Sequence, residues 1–513
     1  MIYSLFKSMA MLFFSSYISG MSISCVDVGQ GNCTVIVPKE PSSHILVVDC
    51  GSSSNKARAT NIRKNYKDTL ALAIVETIAD STKNKAPDKC VVFVITHADE
   101  DHCNLLCPII ESLLNPPYEI PVRKIFLGGY LEDYSSVSWK GTLSSFNDFL
   151  ALIHKEFKVE AHFPSQEAVP TTVPGGYATL LVLPKEKAPA RTSKKYDTNQ
   201  MSLIVQVVND GKKCLIMGDA TNSTVNYHIA QLGQSGAFPS LEDLESDIYI
   251  ASHHGASLDC NSSAWLKIIK PKFIIVSSGV HSLFRHPREK ALQIFIKQLT
   301  DTSAPLHSLY FGLEQPENLD ERPDQLHHAL FEDGYGVTLS NKHVYGTLGQ
   351  GDIIFTLETG LPVSQPECSR PYSHYSENLP DAILKRCSPT SDEGKSLIIS
   401  EDQKPLKDPC FSLDKVVYLN LSTLVDFSKP VNTVNSIKVL DTILEYLIQK
   451  ANNLQQLHCN ENGLTGYSTI LGKIAQLIDQ RKTLTVLKIK NNSFSPTQVT
   501  ALQSHWGYRG LDL

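Results

Sequence analysis

From Ile23 to about Thr359, short apolar runs of strand-forming residues alternate with amphipathic stretches of helical period. Gly, Pro, Asn or Asp bounds most of these runs. The alternation predicts a large layered α/β domain, in which strands form the interior and helices cover it. Across residues 362–412 the periodicity weakens and Pro, Ser, Cys and charged residues predominate, which predicts a linker.

The segment 413–513 contains an internal repeat. The pattern Leu454-x-x-Leu457-x-Cys459-x-x-Asn462-x-Leu464 recurs thirty residues later as Leu484-x-x-Leu487-x-Ile489-x-x-Asn492-x-Phe494. A helix-like stretch follows each unit, and a degenerate third unit begins at Val416. In such a frame, apolar strand residues point into a shared core and the Asn side chain bonds the backbone that leaves the strand. The frame resembles leucine-rich repeats of the longer, helix-containing kind; an ordinary αβ tail is the alternative.

Residues 1–22 form an apolar N-terminal extension that carries one lysine. Ser15 and Ser16 interrupt its apolar part, and no signal-cleavage pattern follows. We interpret it as an extension that precedes a natural start at Met21, with a signal or membrane anchor and a short packed helix as alternatives. Elsewhere we expect no membrane span, because no stretch has the ~18 uninterrupted apolar residues that one needs.

Composition narrows the functional classes. The 513 residues suffice for about three domains of ~150 residues, and the hydrophobic and charged fractions of 42% and 19% are those of a globular protein. A formal net charge of −6 argues against binding nucleic acid by bulk positive charge. The twelve cysteines form no C-x-x-C motif, and several lie in apolar runs, which predicts reduced, buried thiols. We therefore expect a cytoplasmic protein, with secretion or export as the alternative.

The strongest chemical signature follows the predicted buried strand Val91–Ile95. The turn after this strand reads Thr-His-Ala-Asp-Glu-Asp-His, and a stretch of helical spacing begins at Leu105. Four residues of the turn are of metal-ligating types: His97, Asp99, Asp101 and His102. Because neighbours in a turn can aim at one point or at two points a few Å apart, this set predicts a site for one or two divalent cations. A solvated acidic loop would explain the acidic residues but not the two histidines.

Three further predicted strands end in polar residues. In chain order these residues are Asp219, the pair His253 and His254, and the pair Ser277 and Ser278. Because layered α/β folds bind ligands at the carboxyl ends of their strands, we expect these residues to converge with the 97–102 turn. Taken singly, Asp219 could instead cap a helix, and His254 could be a hydrogen-bonded core histidine.

The turn resembles the metal-binding signature of the metallo-β-lactamase superfamily, H-x-H-x-D-H, in the variant with Asp at the second position. That variant is typical of the hydrolase domain of the ComEC family of competence DNA-uptake proteins and its relatives. Other stretches resemble that family in order and spacing: D-V-G-Q-G-N at 27–32, V-D-C-G at 48–51, N-x-x-S-L at 199–203, G-D at 218–219, H-H-G-A at 253–256, S-G at 278–279 and F-R-H-P at 284–287. The resemblance covers residues 23 to 359. It implies an α+β fold, a four-layer αββα sandwich spanning 23–361, ahead of the repeat-like α/β segment 413–513.

The resemblance also implies a division of ligands. His97 and Asp99 would bind one ion, Asp101 and His102 a second, and Asp219 would bridge the two. A late histidine would complete the second position, and we favour His254 over His253 for it.

The superfamily's third histidine has no clear match in this chain. Asn199 occupies its region, and His154 and His162 belong to no motif. We therefore expect one or two ions, of Zn²⁺ or Mn²⁺.

Hydrolysis is the reaction expected of such a site. Asp101 would orient or deprotonate the attacking water while serving as a ligand, and His286 would contact a phosphate or protonate the leaving group. Packing at a helix start before Pro287 is the alternative for His286. Arg285 replaces the family's Gly and adds a cation that suits an anionic substrate.

We predict a phosphodiesterase or nuclease that acts on an anionic phosphodiester, with single-stranded nucleic acid as one candidate. The repeats would bind a protein partner. Two other functions stay open: a leucine-rich-repeat interaction protein with an impaired hydrolase domain, and a thioester or lactone hydrolase of the same superfamily.

Overall fold

In the computed structural model the chain forms two compact units. The first comprises Met1–Asp301 and His343–Ser369, and the second comprises Thr302–Lys342 and Arg370–Leu513. The second unit therefore includes a stretch that the sequence boundaries grouped with the hydrolase-like domain.

The structure describes residues 20–40, 43–53, 71–79, 90–137, 145–164, 171–231, 244–256, 261–312, 329–368, 416–420, 440–449 and 454–512, apart from short gaps within several of these ranges. Most of the predicted N-terminal extension, the predicted linker from residue 369 onward, and Asn462 of the first repeat lie outside the described residues. Within the described part of the chain, no helix combines the length and the apolar character needed to cross a bilayer. Cys368 is half-buried, and the other described cysteines are buried free thiols.

The first sheet of the first unit has eight strands. They are β1 (Met21–Cys25), β2 (Thr34–Pro38), β3 (Ile45–Val48), β4 (Val91–Ile95), β5 (Val122–Leu127), β6 (Glu160–His162), β17 (Ile353–Leu357) and β18 (Glu367–Cys368). Their order is β18-β17-β1-β2-β3-β4-β5-β6. The strands β3 to β6 are parallel, so their carboxyl ends lie along one edge of the sheet.

The second sheet of this unit has seven strands. They are β7 (Thr171–Thr172), β8 (Ala178–Leu181), β9 (Ile204–Asn209), β10 (Lys212–Ile216), β11 (Ile248–Ile250), β12 (Phe273–Val276) and β16 (Val344–Gly346), in the order β16-β12-β11-β10-β9-β8-β7. The strands β10, β11, β12 and β16 are parallel. The β9–β10 hairpin turns at Asp210 and Gly211, both at positive φ, as a two-residue hairpin loop requires.

The helices of the first unit include α1 (Glu100–Cys103), α2 (Leu106–Leu114), α3 (Phe146–Phe157), α4 (Asn222–Gln231), α5 (Ser263–Ile269), α6 (Glu289–Gln298) and α7 (Thr347–Gln350). Residues 71–72 and 74–79 are helical as well. One face of the first sheet packs against α2 and α3, and the buried residues between them form one apolar cluster. The other face packs against the second sheet, where Val94 and Ile250 share a second cluster. Because successive strand residues point to opposite faces, β4 is buried on both sides. The unit is thus a mixed α/β structure with two sheets packed face to face.

The second unit contains the third sheet. Its strands are β13 (His307–Gly312), β14 (Ala329–Phe331), β15 (Tyr335–Ser340), β19 (Val416–Asn420), β20 (Gln456–His458), β21 (Val486–Lys488) and β22 (Leu511–Asp512), in the order β13-β15-β14-β19-β20-β21-β22. Strands β19 to β22 are parallel, and the helices α8 (Ser468–Gln480) and α9 (Pro496–Trp506) connect the last three. The described apolar repeat positions are fully buried, from Leu454 to Ile489. The buried Asn492 side chain donates to the carbonyls of Cys459 at 2.8 Å and Ile489 at 2.7 Å, as the frame predicts.

Candidate metal centre

Polar side chains from the ends of four strands meet in the first unit. Asp49 directly follows β3, the 97–102 turn follows β4, Asp219 comes shortly after β10, and His253 and His254 come shortly after β11. Two of these strands belong to each sheet, so the site lies where the carboxyl edges of the two packed sheets meet.

Four donor atoms form one compact group around His102. Its Nε2 lies 3.0 Å from Asp219 Oδ1 and 3.3 Å from His254 Nε2. His254 Nε2 in turn lies 3.2 Å from Asp101 Oδ2 and 3.8 Å from Asp219 Oδ1. The structure therefore brings together Asp101, His102, Asp219 and His254.

The other oxygen of Asp219 faces a second group. Its Oδ2 lies 4.0 Å from His97 Nε2 and 3.6 Å from His253 Nε2. His97 Nε2 is also 3.6 Å from Asp99 Oδ2. Every candidate ligand named from the sequence thus lies at this site, on one side of Asp219 or the other.

A buried network behind the ligands orients two of the imidazoles. Asp49 accepts hydrogen bonds from the Thr96 amide at 2.7 Å, the Thr96 hydroxyl at 2.9 Å and His102 Nδ1 at 2.8 Å. Because the Thr96 hydroxyl donates to Asp49, its oxygen accepts from His97 Nδ1 at 3.1 Å. The network therefore assigns the Nδ1 proton of both histidines and turns both Nε2 atoms toward Asp219.

His254 is fixed in the same way from the second sheet. Its Nδ1 donates to the backbone carbonyl of Ser277, which follows β12, at 2.9 Å. Hydrogen bonding of the second ring nitrogen to a carbonyl or carboxylate is the usual arrangement for a metal-binding histidine.

These residues fit a divalent cation. Ligand atoms bound at about 2.0–2.2 Å lie about 3–4 Å apart around a tetrahedral ion, and the distances between neighbouring donor atoms of this site, 3.0 to 4.0 Å, fall in that range. His97 Nε2 is buried and has no hydrogen-bond partner among the described residues, and Asp219 Oδ1 has no well-aligned one. A buried polar atom without a partner is costly, and a cation between these groups would satisfy both atoms.

The electrostatics of the pocket are dominated by buried opposite charges. Burial alone would lower the pKa of His102, but the carboxylates of Asp219 and Asp49 raise it well above its usual range. The pKa of His254 is also raised, because Asp219 and Asp101 outweigh its burial. Against the effect of burial, the neighbouring histidines lower the pKa of Asp219 and Asp101. In the metal-free protein the pocket therefore favours ionised carboxylates at Asp101 and Asp219 and stabilises the protonated forms of His102 and His254.

Two backbone features support the ligand turns. Gly51, of the V-D-C-G stretch, lies so close to the 97–102 turn that an added Cβ would meet the Asp101 carbonyl carbon and the His102 amide nitrogen at 2.3 Å. His253 and His254 both have left-handed backbone, with φ of 49° and 52°. That conformation is strained for residues other than Gly, and such strain is concentrated at functional sites.

His286 lies at the edge of the site. Its ring centroid is 5.3 Å from that of His253 and 6.2 Å from that of His254. Burial, together with the repulsion of these histidines, lowers the pKa of His286 to about 2. The half-exposed ring of Phe284 stacks parallel to His286, and Arg285 lies between them in the chain.

Two histidines considered from the sequence do not reach the site through any described contact. His154 contacts the carbonyl of Val159, and His162 pairs with Glu160. The Asn199 region does reach it, because the hydroxyl of Thr198 donates to Asp99 Oδ1 at 2.7 Å.

Sequence reasoning assigned no role to Asp49, Thr96 or Thr198. A signal for Asp49 is present, because a carboxylate followed by a glycine two positions later ends a strand that is otherwise apolar.

Comparison with known proteins gives weak similarities. No protein-family model matches the chain. The competence protein ComA of Neisseria gonorrhoeae is 26% identical over 96 residues, which are 19% of this chain and 13% of that protein. This chain thus spans about an eighth of the length of that curated relative.

Among solved structures, a metal-dependent hydrolase of the β-lactamase superfamily, Tm1679, is similar with a TM-score of 0.32 and 12% identity, over 55% of this chain and 93% of that one. A diphosphatase of the PhnP family has a TM-score of 0.28 and 13% identity, over 55% of this chain and 92% of that one. Zinc-bound PqqB from Methylobacterium extorquens has a TM-score of 0.21 and 11% identity, over 44% of this chain and 60% of that one.

Proposed function

We propose that the chain is a metal-dependent hydrolase whose first unit binds divalent cations. The observation that carries this proposal is the convergence of the buried Nε2 atoms of His97, His102 and His254 on the carboxylate of Asp219. These atoms come from three distant parts of the chain, and each histidine has its Nδ1 bonded elsewhere. A purely structural role does not require three imidazoles oriented so that all of them present the same nitrogen to one carboxylate.

The residues of the chain then divide the work of hydrolysis. When bound, a divalent cation activates water and stabilises the negative charge that develops on the electrophile. Asp101 is partly exposed and lies beside His254, so it holds and orients the attacking water. His286 is neutral at working pH because of its low pKa, and it acts through a neutral N–H as a hydrogen-bond donor to substrate.

The rim of the site supports an anionic substrate. Arg285 pairs with no carboxylate among the described residues, and its Nε is buried without a hydrogen-bond partner. Next to it, Phe284 exposes half of its ring. A guanidinium beside an exposed aromatic ring suits a phosphodiester that carries planar groups, with single-stranded nucleic acid as one candidate. We propose a phosphodiesterase or nuclease on this ground.

The finer family assignment is part of the proposal. A four-layer αββα sandwich of the metallo-β-lactamase type is supported by the burial of Leu215, Tyr249 and Ile274, which are absent from the cluster between the sheets. A ComEC-like relationship is supported by the motif order and by the short ComA match. A leucine-rich-repeat character of the second unit is supported by parallel strands in register, with Leu457 opposite Leu487. Such a repeat suits a protein partner.

The test combines metal analysis with turnover. Purified protein should contain Zn²⁺ or Mn²⁺ and cleave bis-p-nitrophenyl phosphate and single-stranded DNA. Asp101→Asn should lower kcat by about 10²–10⁴-fold, the usual contribution of a positioned acid or base. The matched control is Asp210→Asn, which alters a carboxylate in the exposed β9–β10 turn and should leave kcat unchanged.

The other outcomes identify the alternatives. Stoichiometric metal with cleavage of a thioester or lactone, and not of phosphodiesters, would make the chain a different hydrolase. Protein without metal or turnover after loading with either ion would favour an interaction protein with an impaired site.

A further inference from the structure

His253 and His254 are adjacent in the chain but face different oxygens of Asp219. His254 Nε2 lies 3.8 Å from Oδ1, on the side of Asp101 and His102. His253 Nε2 lies 3.6 Å from Oδ2, on the side of His97. From the sequence, the two histidines are alternatives for one ligand position. The structure places them on different sides of Asp219.

The two sides of Asp219 differ in how many donors they have without His253. The His102 side has four donors, from Asp101, His102, His254 and Asp219 Oδ1, which is the number that a tetrahedral ion takes. The other side has three donors, from His97, Asp99 and Asp219 Oδ2. One donor is therefore missing on the His97 side.

The backbone at residues 253 and 254 explains how both rings reach one carboxylate. Successive side chains of an extended strand point to opposite faces, so a continued β11 would turn one histidine away. Both residues instead have left-handed φ values, and the two rings lie 6.3 Å apart at 75° to each other. Two successive non-glycine residues in this region are strained, and metal binding can offset that strain.

The described contacts of the His253 side chain give it no clear structural role apart from Asp219. Its Nδ1 is buried and has no hydrogen-bond partner among the described residues. The contact with Asp219 is the one described polar contact of the His253 side chain, and His286 packs against the ring edge to face. His254, in contrast, is anchored by the Ser277 carbonyl.

We propose that His253 is the fourth donor of the His97 position, together with Asp99 and Asp219 Oδ2, and that it replaces the missing third histidine. The proposal rests on the proposed function, because it presupposes that the pocket binds divalent cations. It predicts two ion positions of different composition, one completed by His254 and one by His253.

The test counts ions in the full chain. Protein stripped with chelator is dialysed against Mn²⁺, and bound ions are measured by mass spectrometry and electron paramagnetic resonance. His253→Asn removes the imidazole but keeps a residue that tolerates left-handed backbone, so the variant should fold. His162→Asn is the matched control, because it changes a histidine of the first unit outside the site. Circular dichroism and thermal unfolding check the fold of each variant.

Wild type and His162→Asn should bind two ions and give the spectrum of a spin-coupled pair. His253→Asn should retain one ion with the spectrum of isolated Mn²⁺, and its affinity for the second should fall by at least about 100-fold. Two ions bound by His253→Asn with affinities within threefold of wild type would overturn the proposal, as would a wild type that binds a single ion. A wild type that binds no ion would instead overturn the proposed function itself.

Discussion

Replacing Asp49 by Asn tests the buried network that orients the ligands. The carboxylate accepts three hydrogen bonds, two from Thr96 and one from His102 Nδ1, at 2.7 to 2.9 Å. An amide of the same shape has one acceptor oxygen and presents an NH₂ group in place of the other. If its oxygen keeps the Thr96 amide, the Thr96 hydroxyl and His102 Nδ1 both face a donor.

The expected loss of stability follows from the hydrogen bonds of the Thr96 hydroxyl and His102 Nδ1 to Asp49. Hydrogen bonds to a charged group contribute about 1.5–3 kcal/mol each, so the metal-free protein should lose about 3 kcal/mol or more of unfolding free energy. Because His102 also loses the partner that fixes its tautomer, metal affinity should fall by about 10–100-fold, the usual effect of removing such a partner. Urea unfolding in chelator measures the first quantity, and Mn²⁺ titration measures the second.

Thr96→Ser is the matched control, because it keeps the hydroxyl that joins Asp49 to His97. It should leave metal affinity within about threefold of wild type, whereas Thr96→Val should weaken it. If Asp49→Asn unfolds within about 0.5 kcal/mol of wild type and binds Mn²⁺ as tightly, the orienting role assigned to the network is wrong.

Three further outcomes follow from the same geometry. Since their carboxylate neighbours raise the pKa of His102 and His254, metal binding near pH 7 should release protons, and metal affinity should rise with pH. Calorimetry in two buffers measures the number of protons released, and equal metal affinity at pH 6 and 8 would contradict the prediction. Arg285→Ala should raise KM for a phosphodiester by about tenfold with little change in kcat, and a fall in kcat alone would argue against substrate binding by the guanidinium. Asn492→Ala should lower the unfolding free energy by about 2–4 kcal/mol without affecting hydrolysis. The control Gln455→Ala changes an exposed side chain and should leave the unfolding free energy unchanged. Unchanged stability of Asn492→Ala would exclude the role given to the repeat asparagine.

Strand β4, the β9–β10 hairpin and the repeat can be predicted from the sequence, because a short residue pattern encodes each of them. Five strand-forming residues before the 97–102 turn predict a strand buried on both faces, and β4 is such a strand. An Asn-Asp-Gly sequence between apolar runs predicts a hairpin, and the β9–β10 turn lies there. The repeat frame predicts that Asn492 bonds the backbone, because the amide has two donors where the chain leaves the strand.

The unit boundary depends on pairing between distant residues, which periodicity does not contain. Strands β13 to β15 lie within the range predicted for the hydrolase-like domain and read as ordinary strands in sequence. The structure pairs β14 with β19, so that Ala329 lies opposite Leu419. Apolar alternation specifies that a segment forms a strand, but it does not specify which sheet receives it.

The site shows the same limit at the level of single atoms. The ligand types at 97–102 are visible in sequence, but the roles of Asp49 and Thr96 depend on a contact between neighbouring parallel strands. Likewise, the adjacent positions of His253 and His254 in the sequence do not indicate which oxygen of Asp219 each side chain faces. That division follows from two φ values that the residue types disfavour.

Ser202 and Leu203 support the site through Asp219 and Thr96, although neither of them is a candidate ligand. The Ser202 hydroxyl accepts a hydrogen bond from the Asp219 amide at 3.2 Å, and the Leu203 amide donates to the Thr96 carbonyl at 2.9 Å. One short segment therefore connects Asp219, shortly after β10, to Thr96, directly after β4, across the two sheets. Because the two oxygens of Asp219 divide the donors into two groups, an error in its position would disturb both groups at once. The N-x-x-S-L stretch thus acts by fixing the distance between the sheet edges that carry the ligands.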